Sequence, residues 1–153
     1  MRHRPDPTHP DPDPAHRDAL ASAVHVMPLQ IYYEDTDISG LVYHANYLRY
    51  FERAREHLLG PAELVRLWRD EGVGFVVYKC ELTFKEGATL GDTLEVRTAP
   101  RMESEYRAVF QQSVWRPGGR GPMVEGVVQL VCVDKKNKLV PLPEGVRARM
   151  KAG

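Results

Sequence analysis

Apolar positions along this chain run first at strand spacing, then at helical spacing, then at strand spacing again. From Val26, the run VMPLQIYY predicts a first strand that leads into an acidic stretch. Past Gly40 the period changes: Tyr47, Tyr50 or Phe51, Ala54 and Leu58 recur at helical spacing, with Arg49, Glu52, Arg53 and Glu56 on the other face. This predicts a long helix with one apolar stripe, starting around His44 to Asn46. Gly60-Pro61 ends that helix and begins a shorter one, PAELVRLWRDEG, which Gly72 closes.

The remainder reads as four strands in sequence. GVGFVVYKCELTF is apolar near its start, and DTLEVRTA alternates Leu94, Val96 and Thr98 with Thr93, Glu95 and Arg97. EYRAVFQQSVW sets Tyr106, Ala108, Phe110 and Val114 on one face, and the turn RPGGRG separates it from PMVEGVVQLVCV. DKKNK is a further turn before LVPLP and a basic tail of helical character. Strand, long helix, short helix and a run of antiparallel strands make an α+β domain, a sheet wrapped around a central helix. Such a sheet leaves an open edge that needs cover, so edge-to-edge dimerisation is expected.

The first residues break this order. MRHRPDPTHPDPDPAHRDALASA is poor in apolar residues and interrupted by prolines, so residues 1–24 are expected to be a disordered tail and residues 25–153 a single domain. His3, His9 and His16 lack the fixed geometry of a metal site, and no metal is expected anywhere in the chain.

Charge narrows the function classes only a little. Lys plus Arg equals Asp plus Glu at 21 each, which gives no reason to expect a nucleic acid or an anionic membrane as partner. No apolar run reaches the roughly 20 residues of a membrane helix, and the N-terminal residues do not form a signal-peptide core. A cytoplasmic location without membrane insertion is expected. Cys80 and Cys132 lie in strand-like runs and are expected to be buried and reduced.

The chemistry concentrates in YYEDTDISGLVYHANY, residues 32–47. As a structural element, its acids would cap, its glycine would turn and its aromatics would end a strand. Asp37, however, lies too far upstream to cap the helix, and DISG reads as a turn that carries it back towards the helix start. Unpaired amides at a helix N-terminus can polarise a carbonyl and hold a developing oxyanion. A carboxylate beside them can attack that carbonyl or activate a water. Asp37 with the amides near Tyr43 and His44 would make a minimal acyl-transfer site. No serine sits in a G-x-S-x-G elbow.

The segments YYEDTD, VYHANYL and YFERARE together resemble the signature of the YbgC-type acyl-CoA thioesterases, in the 4-hydroxybenzoyl-CoA thioesterase branch of the hotdog superfamily. The resemblance runs more loosely from about residue 28 to 142 and leaves out the proline-rich tail. It implies a hotdog fold and hydrolysis of acyl-CoA, or of an acyl group on acyl carrier protein, with no cofactor beyond the coenzyme A of the substrate. It implies Asp37 as the catalytic carboxylate, His44 as its assistant and Tyr33 close to the same site. It also implies oxyanion-binding amides around Tyr43 and His44, Asn46 orienting the turn, and a homodimer or homotetramer with the site between protomers. Ile38-Ser39 departs from the small residues common after the D-x-D pair, which leaves acyl-chain preference open. Arg53 and Arg55 are read as ion-pair partners. Lys85, Arg116, Arg120, Lys135 and Lys136 are cations available to phosphates, although no binding role is assigned to them.

Two other readings stand beside the thioesterase. One is a hotdog hydratase or dehydratase acting on β-hydroxyacyl thioesters. The other is a non-catalytic module that binds acyl thioesters or carrier protein in envelope or phospholipid assembly, given the family's association with the Tol–Pal system.

Overall fold

The computed structural model describes residues 24–152. The tail expected at residues 1–24 therefore lies outside the described residues, apart from Val24. Strand β1 (His25–Gln30) leads through a 3-10 turn (Tyr33–Asp35) and a tight loop to helix α1 (Asn46–Leu59). Helix α2 (Pro61–Arg66) follows and widens into one π-type turn over Leu67–Glu71. Then come β2 (Gly74–Phe84), β3 (Thr93–Met102), β4 (Arg107–Trp115), β5 (Val124–Val133), the short β6 (Leu139–Val140) and helix α3 (Glu144–Ala152).

The strands form one antiparallel sheet in the order β1-β3-β4-β5-β2, with β6 also on β5. Helix α1 lays its apolar stripe on one face, so that Tyr47, Tyr50, Phe51, Ala54 and Leu58 are all buried. Leu94, Val96, Ala108, Phe110, Val114, Val124, Val128 and Leu130 belong to the same core cluster. Fully burying a side chain such as Leu94 or Phe110 stabilises the fold by about 1.5–3 kcal/mol. Gly126 permits a close approach of helix to sheet: a Cβ there would lie 2.7 Å from Cε2 of Phe51.

Local chemistry explains the limits of α1. Its first residues lack a side-chain cap, and Gly60 ends it at φ +88°, a conformation that side chains resist, with Pro61 opening α2. Strand β1 stops at Gln30, earlier than VMPLQIYY predicts. Beyond it the Ile31 amide turns to the Asp92 carbonyl and the Tyr32 amide to the Asp35 carboxylate.

Three expectations need correction. Tyr106 precedes β4 and is exposed, because the chain is still turning through Glu103 to Arg107 there. Cys80 is also exposed, since among the described residues β2 is an edge strand paired with β5 alone, whereas Cys132 on β5 is buried and its thiol is pushed up to about 12 by burial. Arg55 is not a surface ion-pair partner. It is 8% exposed and donates from Nη1 to Oε1 of Gln112 at 2.9 Å. Gln112 in turn donates from Nε2 to the Phe51 carbonyl and to Oγ1 of Thr98. Burial holds the Arg55 guanidinium below its ordinary value. This polar chain joins α1 to the sheet inside the core, where such groups must be paired.

Candidate active site

The acidic stretch folds as two linked turns. In the first, the Asp35 carboxylate is buried and accepts from the Tyr32 amide through Oδ2 at 2.8 Å. In the second, Thr36 bridges Val42, the Asp37 amide donates to the Leu41 carbonyl at 2.8 Å, and the Gly40 amide donates to the Asp37 carbonyl at 3.0 Å. Gly40 has φ +80°, which a residue with a side chain rarely adopts in such a turn. Asp suits the first position of a tight turn because its carboxylate can accept from the amide two residues on. Here Ser39 donates its amide to Oδ1 of Asp37 at 2.8 Å, and the Ser39 hydroxyl donates to the same oxygen.

These bonds set the electrostatics. The Ser39 hydroxyl, and then the Ser39 amide, hold the Asp37 carboxyl below the usual carboxylate range, with smaller contributions from the Leu41 amide and then the charge of His44. Both Asp37 and His44 are exposed. Oδ2 of Asp37 accepts no hydrogen bond among the described residues. The His44 ring lies 4.6 Å from the ring of Tyr43 and 6.3 Å, edge to face, from that of Phe84 at the end of β2. The turn thus carries a carboxylate within reach of the charge of His44, whose ring lies beside two aromatic rings.

The amides ahead of α1 divide differently from the sequence-based expectation. The Tyr43 amide donates to the Asp35 carbonyl at 2.9 Å, so it is not free to bind an oxyanion. Asn46, Tyr47 and Leu48 make short-range bonds to the carbonyls of Tyr43, His44 and Ala45. Among the described residues, the amides of His44 and Ala45 have no acceptor. They stand immediately before the helix, where its dipole favours negative charge. Asn46 is the first residue of α1, and its side-chain amide donates to the Asp35 carbonyl at 2.9 Å.

Tyr33 is 81% exposed, and its hydroxyl makes no hydrogen bond to Asp37 or His44. It contributes its carbonyl, which accepts from the Thr36 amide and hydroxyl. Exposed apolar side chains surround the turn: Ile38, Leu41, Tyr43 and Phe84. Several such residues together mark a binding surface rather than scattered exposure. Two of the cations considered for phosphate are committed elsewhere, Arg116 to Glu86 and Asp92 and Lys85 to Glu125. Lys135 lies over the ring of Trp68.

A concavity of about 1040 Å³ lies elsewhere. It is bordered by Val26, Glu81, Thr83, Arg97, Ser113 and Trp115 and includes none of the site residues. It is an open groove over the sheet, and the chemistry favours the turn. No group of three or more His, Cys, Asp or Glu side chains among the described residues is arranged to hold a metal ion. Sequence reading missed the grip of Ser39 on Asp37; the signal was a D-x-S triplet ahead of a glycine.

Comparison with known proteins bears on the family and the fold. Residues 32–150 match the family model described as the thioesterase-like superfamily. The chain is 35% identical over 124 residues to the acyl-CoA thioesterase YbgC of Haemophilus influenzae, covering 79% of this chain and 90% of that protein. It is 36% identical over 126 residues to the acyl-CoA thioester hydrolase YbgC of Escherichia coli O157:H7, covering 81% and 93%. Among solved structures, a probable thioesterase from Bartonella henselae superposes with a TM-score of 0.72 at 30% identity, covering 78% of this chain and 99% of that one. A 1,4-dihydroxy-2-naphthoyl-CoA thioesterase from Synechocystis shares the fold with a TM-score of 0.78 at 21% identity, covering 84% and 96%. The chain belongs to the thioesterase-like superfamily, as a hotdog-fold enzyme of the YbgC type.

Proposed function

We propose that this protein hydrolyses acyl-CoA thioesters at the turn carrying Asp37. The observation that carries this reading is the pairing of a carboxylate whose Oδ2 is unengaged with the unengaged His44 and Ala45 amides just before α1. A thioester carbonyl oxygen accepts from those amides, which stabilise the negative charge that builds as the carbon becomes tetrahedral. Oδ2 either attacks the carbon, giving an anhydride that water then opens, or takes a proton from the attacking water. Both routes release the free acid and the coenzyme A thiol. His44 assists from between Tyr43 and Phe84, and Asn46 holds the helix start against the Asp35 carbonyl. Tyr33, exposed on the turn just before Asp37, is the third side chain of this site.

Among the described residues the outer edge of β2 lacks a strand neighbour and exposes Val76, Val77 and Tyr78, which supports pairing with a second copy as a homodimer or homotetramer. Acyl carrier protein is the second carrier this site would accept, and a cytoplasmic location follows from such substrates.

The test is thiol release from a panel of aliphatic and aromatic acyl-CoAs by wild type and by folded Asp37→Asn and His44→Ala variants. Asp37→Asn is expected to lose at least about a hundredfold in kcat. Near-wild-type turnover in that variant would sink the mechanism. Hydration of crotonyl-CoA without thiol release would move the enzyme to the hydratases.

A further inference from the structure

We infer that Ser39 is a positioning residue of the reaction, gripping Oδ1 of Asp37 with both its amide and its hydroxyl so that Oδ2 alone is presented to the thioester. This rests on the reading of Asp37 as the reacting carboxylate. The turn supplies the geometry: Gly40 closes it onto the Asp37 carbonyl, the Asp37 amide is pinned to Leu41, and two donors from Ser39 then fix the side-chain rotamer. A carboxylate held at one oxygen cannot swing its other oxygen away from the bound carbonyl, and misplacement by about 1 Å can cost two orders of magnitude in rate. The same donors favour the ionised form, since hydrogen bonds to a carboxylate stabilise its charge. His44, on the turn leading into α1, is the titratable group whose charge also reaches Asp37.

Ser39→Ala removes the hydroxyl donor and leaves the amide donor in place. At this exposed position the fold is expected to survive, which the far-ultraviolet circular dichroism spectrum checks. With one fewer donor to the charged form, the Asp37 carboxyl titrates at higher pH, and activity is lost earlier on acidification. Three measurements decide the matter: carbon-13 NMR titration of the Asp37 carboxyl, the pH profile of kcat/KM, and kcat and KM at neutral pH. The expected result is an upward move of the carboxyl titration and of the acid limb together. A fall of about tenfold in kcat with little change in KM should accompany it, and Ser39→Thr should recover most of that loss.

An Asp37 titration identical in wild type and Ser39→Ala would overturn the grip while leaving the Asp37 mechanism in place. Full activity in Asp37→Asn would instead remove the mechanism, and the catalytic role of Ser39 with it. Complete loss of turnover in Ser39→Ala, beyond recovery by Thr, would make the hydroxyl itself a reactant and overturn the positioning role.

Discussion

Asn46 sets its side-chain amide 2.9 Å from the carbonyl oxygen of Asp35, tying the first residue of the central helix to the loop that carries Asp37. The Tyr43 amide reaches the same carbonyl at 2.9 Å, so one oxygen receives both donors. The start of the central helix is therefore tied by two bonds to the backbone two residues before Asp37.

Asn46→Ala removes one of those two donors. The Asp35 carbonyl keeps the other, so the stability loss is expected to be about 1 kcal/mol. Catalysis should suffer more, because the helix start is no longer fixed against the turn. A fall of roughly ten- to a hundredfold in kcat is expected. Urea denaturation and thiol-release kinetics on the same preparation check the two parts. A variant that loses stability but keeps kcat would deny Asn46 its orienting role.

The pairing of Arg55 with Gln112 predicts unequal single variants. Gln112→Leu leaves a buried guanidinium without its acceptor and should cost about 3–5 kcal/mol. Arg55→Met leaves the Gln112 carbonyl unpaired but keeps the Nε2 bonds, at about 1–3 kcal/mol. The double variant should lose less than the two single losses added together, since apolar groups then meet apolar groups. A double-mutant cycle from urea midpoints measures the coupling, and strict additivity would show that the two side chains do not act as a pair.

Gly126→Ala tests the close approach of α1 to β5. The added methyl would meet the ring of the fully buried Phe51 at 2.7 Å, with the Glu81 carbonyl on another side at 3.4 Å. Overpacking of this kind costs about 1–3 kcal/mol. Gly121→Ala is the control: nothing lies within 4 Å of a Cβ there, and its effect should stay within about 0.5 kcal/mol. Thermal or urea unfolding of the two variants makes the comparison, and equal stability would contradict the packing described.

Much of this protein is legible without coordinates. The stripe Tyr47, Phe51, Ala54 and Leu58 follows from the helical period, and Leu94, Val96 and Thr98 from the strand period. The D-x-D pair and VYHANY locate the candidate site because the resemblance spans consecutive residues. Arg55 was harder to read. It sits four residues after Phe51 and three before Leu58, a spacing that put it on the buried face, yet its charge in FERAR argued for solvent. Its acceptor Gln112 lies 57 residues away. No local rule finds such a partner.

The sequence by itself determined the order of the strands and helices, the apolar stripe of the central helix and the stretch in which the candidate site residues concentrate. Periodicity and turn chemistry act over a few residues and can be read there. Only the tertiary structure decided which polar groups meet. It gave the Tyr43 amide to Asp35 and left the His44 and Ala45 amides without an acceptor among the described residues. It also left β2, and with it Cys80, on an open edge. Those outcomes depend on how elements pack, because a hydrogen bond requires its donor and acceptor within about 3 Å, and only the fold brings distant residues that close.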